Sequence, residues 1–223
     1  VTTANPTPSP SSIRRVRVRE HVNPLGIQYQ QPTQPPDWTE IYRPWGLPLS
    51  LDIGCGRGEY LLQMAQRHRD RNFLGLEIRQ PLVHSANQAR DALALTNLHY
   101  LFCNVTPTLP GLLPANSVHQ VTIQFPDPWF KRRQQKRRTV QPQLVATLAR
   151  LLIPDGEVLL QSDVLPVVIA MIRCFEAQGQ FVNQAGPGQL AADGVYPEHI
   201  PTERERWTLH KGAPVYRGYF RRR

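Results

Sequence analysis

One acid stands between two prolines in "FPDPW", Phe125 to Trp129, and six of the eight residues that follow from Lys131 to Arg138, "KRRQQKRR", are basic. Pro126 and Pro128 fix their own φ and bias the residue before each toward extended backbone, so Asp127 is expected in a stiff segment. Phe125, Trp129 and Phe130 offer flat faces on which a flipped or looped-out base can stack. The basic run suits phosphates. So many like charges in so few residues repel one another, which predicts a loop that orders only when phosphate binds. A basic run is also found on solvated faces and in targeting signals. Its position directly after a strand-end acid argues against a mere tag.

A second constellation lies upstream in "LDIGCGRGEY". Gly54, Gly56 and Gly58 fall where a first strand should turn into a helix, and glycines there let backbone turn tightly and lie close to a ligand. In an open α/β sheet, ligands bind at the carboxyl ends of the strands. The spacing is G-x-G-x-G, and Glu59 stands where a dinucleotide fingerprint has its third glycine, at a place where an acid would repel a pyrophosphate. Asp52 precedes the loop. Glu77 ends the next strand, "NFLGLEI", where a carboxylate can accept hydrogen bonds from both hydroxyls of a ribose. Two acids in such a site suit a ligand with a positive centre and hydroxyls, and S-adenosylmethionine carries a sulfonium, an ammonium and a ribose. The plainer reading is a structural turn with surface carboxylates. Asn104, at the end of "LFCNV", can both donate and accept at an adenine edge. It reads equally as an ordinary turn asparagine.

These residues need elements to hold them. From Leu47 onward, "LPLSLDIG", "NFLGLEI", "NLHYLFCNV", "VHQVTIQF" and "GEVLLQSDV" are short apolar runs bounded by turn residues, which predicts buried strands. Between them, "EYLLQMAQRHR", "PLVHSANQARDALALT" and "VQPQLVATLARLLI" have helical spacing, the second opened by Pro81 and the third stopped by "PDG". "PVVIAMIRCFEAQG" is a further helix, ending at Gly179. Strands alternating with helices predict a mainly parallel, doubly wound α/β sheet. "APVYRGYFRRR" alternates apolar and polar residues and reads as a closing antiparallel strand. Upstream, residues 1–12 are rich in Pro, Ser and Thr with almost nothing to bury, which predicts disorder. "IRRVRVREHVNPLG" crowds Arg14, Arg15, Arg17 and Arg19 into one arm, and "QQPTQPPDW" reads as a proline-stiffened linker. Residues 1–36 are therefore expected to be a flexible tail and basic arm, and residues 37–223 one domain.

Composition agrees with a basic α/β protein. A chain of 223 residues, 40% of them hydrophobic, can bury one large core. Its net charge of +9 points to a polyanionic partner, and clustering of that charge favours nucleic acid over an anionic membrane or simple solubility. Cys55, Cys103 and Cys174 are scattered, odd in number and without a C-x-x-C pair, so neither a disulfide framework nor a zinc site is expected, and no metal. Reduced thiols, no apolar run long enough for a membrane span and no apolar signal-peptide core together predict a cytoplasmic protein.

With these motifs assembled, the chain resembles the bacterial tRNA (guanine-N7-)-methyltransferases, which act on a guanine, position 46, in the variable loop of tRNA. "LDIGCGRGEYL" is similar to that family's cofactor loop, "NFLGLEIR" to its ribose-binding strand end and "FPDPWFKRRQQKRR" to its most specific signature. "LLQSD" matches a strand end that carries a substrate-contacting aspartate, here Asp163, and "PTERERW" carries the T-x-x-E pattern at Thr202 and Glu205. The arm "RVRVREHVNPL" also resembles that of some members. The match implies a Rossmann-like class I fold: a mainly parallel seven-stranded sheet with an antiparallel closing strand and helices on both faces. It implies Asp52, Gly54, Gly56, Gly58, Glu77, Asn104 and Asp127 around S-adenosylmethionine, Lys131, Asp163, Thr202 and Glu205 at the guanine, and Arg133, Lys136, Arg137 and Arg138 on the RNA. It implies tRNA as partner, with no obligatory protein partner and either a monomer or a homodimer. Two positions depart from the pattern. Asn104 sits where many members have aspartate, and Gln134 and Gln135 sit where a histidine is common.

Guanine N7 has an in-plane lone pair and no proton, so its methylation needs placement and electrostatic support rather than a general base. From the resemblance, Asp127 is the group facing the charge that develops, where the residues alone indicate only a stiff acid beside the cofactor. Asp163 or Glu205 would accept from guanine N1–H and N2–H₂. Two other readings stand beside this one. A methyltransferase acting on protein or a small metabolite leaves the arginine clusters unexplained. A non-catalytic RNA-binding protein on the same scaffold has no need of Asp52, Glu77 and Asp127 together.

Overall fold

A computed structural model describes residues 21–196, 198 and 200–223 of the chain. In chain order its elements are α1 (Trp38–Ile41), β1 (Leu49–Ile53), α2 (Glu59–Arg67), β2 (Asn72–Glu77), α3 (Gln80–Ala92), β3 (Leu98–Phe102), α4 (Val105–Leu112), β4 (Val118–Gln124), α5 (Pro142–Leu151), β5 (Leu152–Ser162), α6 (Leu165–Gln178), β6 (Phe181–Asn183), α7 (Glu203–His210) and β7 (Tyr216–Arg222). Two 3-10 turns, Ile27–Tyr29 and Arg132–Arg137, complete the described set.

The seven strands form one sheet in the order β3-β2-β1-β4-β5-β7-β6. The five on the β3 side run parallel, and β7 is antiparallel to both β5 and β6. Every residue of β1 and β2 is buried, as strands covered on both faces require. Alternation along β2 sends Phe73 into one hydrophobic cluster, with the apolar faces of α2 and α3. Leu74 and Leu76 enter the other, with α4, α5 and α6. Strand order reverses between β1 and β4, so a crevice opens at their carboxyl ends, the place where open α/β sheets bind ligands. Asp52 on β1 and Gln124 on β4 stand at that crevice.

The expected strands and the antiparallel closing strand are present. Four elements were not legible as such: α1, α4, β6 and α7. The α5 helix ends at Leu151 rather than at "PDG", because β5 begins at Leu152 and continues through that turn sequence. Residues 1–20, which hold the Pro/Ser-rich tail and the four arginines of the arm, lie outside the described residues. The rest of the arm and the linker pack against the domain. Thr33 N–H donates to Thr108 Oγ1 at 3.1 Å and Thr33 Oγ1 donates to the Phe102 carbonyl at 3.1 Å.

Candidate active site

The glycine loop forms the floor of the crevice. Gly54, Gly56 and Gly58 have φ of 80°, 59° and 77°, left-handed values that other residues adopt at a cost. Gly58 is constrained twice, since a Cβ there would sit 2.6 Å from the Tyr100 ring. The Tyr100 hydroxyl in turn donates to the Gly58 carbonyl at 2.6 Å, tying the loop to β3.

Two adjoining clefts of about 510 Å³ and about 570 Å³ open above this floor. Both are lined by Gly54, Arg79, Gln124, Phe125, Pro126 and Asp127. The sizes fall in the usual range of small-molecule sites.

The first cleft runs over the end of β2. Glu77, 3% exposed, faces it with a carboxylate whose acceptor positions are all used. Oε2 accepts from Gly56 N–H at 2.9 Å and from Arg79 Nη2 at 3.0 Å, while Oε1 accepts from Arg79 N–H at 3.0 Å and Nε at 2.9 Å. Ile53, Leu76, Ile78 and Val105 supply apolar wall. Asn104 closes the far end of this cleft. Its Oδ1 accepts from Thr106 N–H at 3.3 Å and caps α4.

The second cleft contains Asp52, Gly56, Gly58, Asp163 and Thr202. Asp52 is 3% exposed, and its Oδ1 accepts from Thr122 Oγ1 at 2.6 Å and, at a marginal 3.5 Å, from Gln124 Nε2. Burial pushes its carboxyl up to about 6; the bonds from Thr122 and Gln124 restrain that rise, and the Glu77 charge adds to it. Thr122 and Gln124 were not singled out from the sequence. Their spacing on β4 puts both on one face, which is the signal that could have found them. Asp163 pairs with Arg204 at 2.5 Å.

Thr202 and Glu205 do not stand side by side in the cleft. Thr202 Oγ1 accepts from Glu205 N–H at 3.1 Å, and Glu205 Oε2 accepts from Thr202 N–H at 3.4 Å, a capping box at the start of α7. Glu205 is 1% exposed behind the wall, and its carboxylate also accepts from Arg217 at 2.5 Å and Gln161 at 3.1 Å. The T-x-x-E spacing is itself the sequence signature of that box.

Asp127 sits on the wall that both clefts share, with its side chain 36% exposed. Its Oδ1 lies 2.8 Å from His21 Nδ1, and the His21 ring stands 6.1 Å from that of Trp129. Sequence reading did not single out His21. Phe125 does not take the extended backbone expected before a proline. It has φ 49° and Trp129 has φ 42°, so left-handed residues flank Pro126–Pro128 on both sides. Such residues cost about 1–3 kcal/mol each and persist only where surrounding structure imposes them. Here Phe125 N–H extends the β4–β5 ladder to the Gln161 carbonyl at 2.8 Å.

The basic segment is not the free loop that its self-repulsion predicts. Residues 132–137 form a 3-10 turn with local anchors. Arg138 Nε donates to the Pro128 carbonyl at 2.9 Å, the Arg137 guanidinium lies 5.1 Å above the Trp129 ring, and the Gln141 amide donates to the Gln135 and Arg138 carbonyls. These contacts leave the charge of the run in place but offset its self-repulsion by tying the segment to its neighbours. Lys136, Arg137 and Arg138 border the first cleft. Lys131 and Arg133 are exposed and line neither cleft.

Among the described residues there is no cluster of three or more His, Cys, Asp or Glu able to hold a metal, and no helix long and apolar enough to cross a membrane. The residues do fit S-adenosylmethionine. A buried carboxylate at the β2 end is already engaged with a vicinal pair of guanidinium donors, a geometry that a ribose diol can replace. A second buried carboxylate lies by the glycine loop, and apolar side chains line the space between strand ends.

A family model described as "Putative methyltransferase" matches residues 47–218. A protein from Microcystis aeruginosa named tRNA (guanine-N(7)-)-methyltransferase is 51% identical over 210 residues, covering 93% of this chain and 98% of that one. One of the same name from Synechococcus sp. (strain JA-3-3Ab) is 54% identical over 207 residues, covering 93% and 86%. Among solved structures, a SAM-dependent methyltransferase from Aquifex aeolicus is similar with a TM-score of 0.52 at 15% identity, covering 80% of this chain and 85% of that one. The [4+2]-cyclase SpnF reaches a TM-score of 0.53 at 13% identity, covering 82% and 78%. At such identities the structural likeness speaks to the fold alone.

Proposed function

The chain belongs to the tRNA (guanine-N(7)-)-methyltransferases, and from that membership we propose that it transfers a methyl group from S-adenosylmethionine to N7 of a guanine in tRNA. The observation that carries this reading is the position of Asp127, on the wall between a cleft that suits an adenosine and a cleft that opens toward a base. Asp52, Gly54, Gly56, Gly58 and Glu77 form the cofactor side, with Asn104 bounding its adenine end. Asp163 and Thr202 face the base, and Glu205 acts from behind by fixing Thr202. Lys131 and Arg133 stand outside both clefts and Lys136, Arg137 and Arg138 border the first, a basic rim suited to RNA phosphates. The reaction belongs in the cytoplasm, where tRNA is modified.

When bound, S-adenosylmethionine supplies a methyl group on positively charged sulfur. The chain's task is to place the guanine lone pair in line with that methyl and to stabilise charge on the purine. Asp127 can do the second part, because the prolines hold its carboxylate toward the clefts. Asp163, with one partner in Arg204, retains acceptor capacity for guanine N1–H or N2–H₂. Incubation with labelled S-adenosylmethionine and unmodified tRNA, followed by mapping of the label, tests the function. Label at guanine N7 is expected. Label on protein, or tRNA binding without transfer, would overturn it.

A pH dependence follows from Asp52. Its folded carboxyl titrates well above the ordinary value of 3.8, at about 6. The ionised form is the one that attracts the cofactor's ammonium. Cofactor affinity is therefore expected to hold above that pH and to fall about tenfold per unit below it. Calorimetric titration across that range checks this, and Asp52→Asn should bind weakly with no such limb. The same raised value means that this group favours the folded state below about 3.8 and that its contribution is lost as pH rises through about 6.

A further inference from the structure

Residues 22–33 cross the mouth of the first cleft, and Val22, Pro24, Leu25 and Gln30 form part of its lining. Little apolar burial holds this strap down, since Leu25 is 46% and Ile27 88% exposed. Its central attachment is a single side chain. Asn104 Nδ2 donates to the Pro24 carbonyl at 2.9 Å and to the Tyr29 carbonyl at 3.0 Å. The same side chain caps α4 through its oxygen. Asn104 is 7% exposed, so these bonds form away from bulk water, where each is worth more. Thr33, bonded to Thr108 and Phe102, fixes the strap's downstream end.

We propose that Asn104 is a positioning residue that pins residues 22–30 as a closing strap over the adenosine end of the cleft, and that it retains the cofactor through the strap. This rests on reading the first cleft as the cofactor site. The chemistry of the amide makes the assignment specific. An aspartate here would keep the oxygen that caps α4, and aspartate is as good a cap as asparagine. It has no hydrogen to donate, however, and its charge would face two carbonyl oxygens. Asn104→Asp should therefore free the middle of the strap, between its tethers at His21 and Thr33, and leave the helix intact. The strap's own turn bonds, Gly26 N–H to the Asn23 carbonyl and Tyr29 N–H to the Gly26 carbonyl, are local and cannot hold it against the domain.

Hydrogen exchange on the full chain without cofactor reads the first half of the proposal. In N104D the Gly26, Tyr29 and Gln30 amides should exchange at least ~10-fold faster than in the parent, as local opening becomes easier. The amides of β1 and β4 should stay protected, which shows that the fold survives. Stopped-flow dissociation of S-adenosylmethionine reads the second half, with an expected rate increase of about tenfold, equivalent to about 1.4 kcal/mol. Pro24→Gly, which loosens the strap's backbone while keeping the carbonyl that Asn104 bonds, separates strap from direct contact. If Asn104 acts through the strap, N104D with P24G dissociates little faster than N104D alone. Unchanged strap exchange in N104D, unchanged cofactor dissociation with a freed strap, or fully additive effects in the double variant would each overturn the proposal. A parent chain that binds no S-adenosylmethionine would instead remove the reading of the cleft, and the exchange result would still decide whether Asn104 holds the strap.

Discussion

Asp127→Ala is expected to reduce the rate of methyl transfer by roughly 10²–10³-fold, the usual effect of removing one group aimed at developing charge. The fold should be nearly unaffected. Asp127 lies in a loop, has a side chain 36% exposed and makes one side-chain hydrogen bond among the described residues, with the exposed His21. Exposed pairs of this kind contribute about 0–1 kcal/mol. The melting temperature should therefore stay close to the parent's while single-turnover methylation collapses. Asp127→Asn divides the effect. The amide keeps the size and one acceptor but loses the charge, so a variant as slow as alanine assigns the loss to electrostatics, and one near the parent assigns it to placement. Near-parental methylation by Asp127→Ala would remove this residue from the chemistry altogether.

The second large effect is expected on tRNA binding. Arg132, Arg133 and Lys136 are all exposed, and no hydrogen bond or ion pair occupies their side chains among the described residues. Replacing the three with alanine should raise the dissociation constant of tRNA by roughly 10–100-fold at low salt and make its log–log salt slope shallower by about 2. Affinity titrations at several salt concentrations measure both quantities, and an unchanged slope would take the turn out of the RNA-binding account. Arg137 and Arg138 are left out of that triple variant on structural grounds. Their guanidinium groups hold the Trp129 ring and the Pro128 carbonyl, so their removal would disturb the Asp127 loop as well as the charge.

The sheet and half of the site were legible because they depend on local pattern. Asp52 is the next-to-last residue of β1 and Glu77 the last of β2, so each apolar run delivers an acid to the crevice at its carboxyl end. The glycine loop could be read from its own three residues. What escaped was held by contacts distant in sequence. The α4 segment "VTPTLPGL" has two prolines and little helix propensity, yet it is helical because Asn104 caps it and Leu109 and Leu112 are buried. Residues 22–33 look like linker because no periodicity marks them. Their contacts with the domain come from residues some 70 to 80 positions away in sequence, Asn104 on the Pro24 and Tyr29 carbonyls and Thr108 and Phe102 on Thr33. Glu205 shows the opposite problem, since one spacing served two meanings, and its carboxylate is buried on Arg217 and Gln161 as well as on the cap. The departure at Asn104 from the commoner aspartate also gains a physical account, because only the amide can donate to two carbonyls.

The two left-handed residues around Pro126–Pro128 make the loop behave like a bent leaf spring clamped at both ends. One clamp is the sheet, through Phe125 N–H on the Gln161 carbonyl. The other is the basic turn itself, through Arg138 on the Pro128 carbonyl and Arg137 on Trp129. Arg137 and Arg138 thus belong to two parts at once, the basic turn and the frame that holds the loop of Asp127, so the loop's shape and the turn's charge rest on the same two side chains.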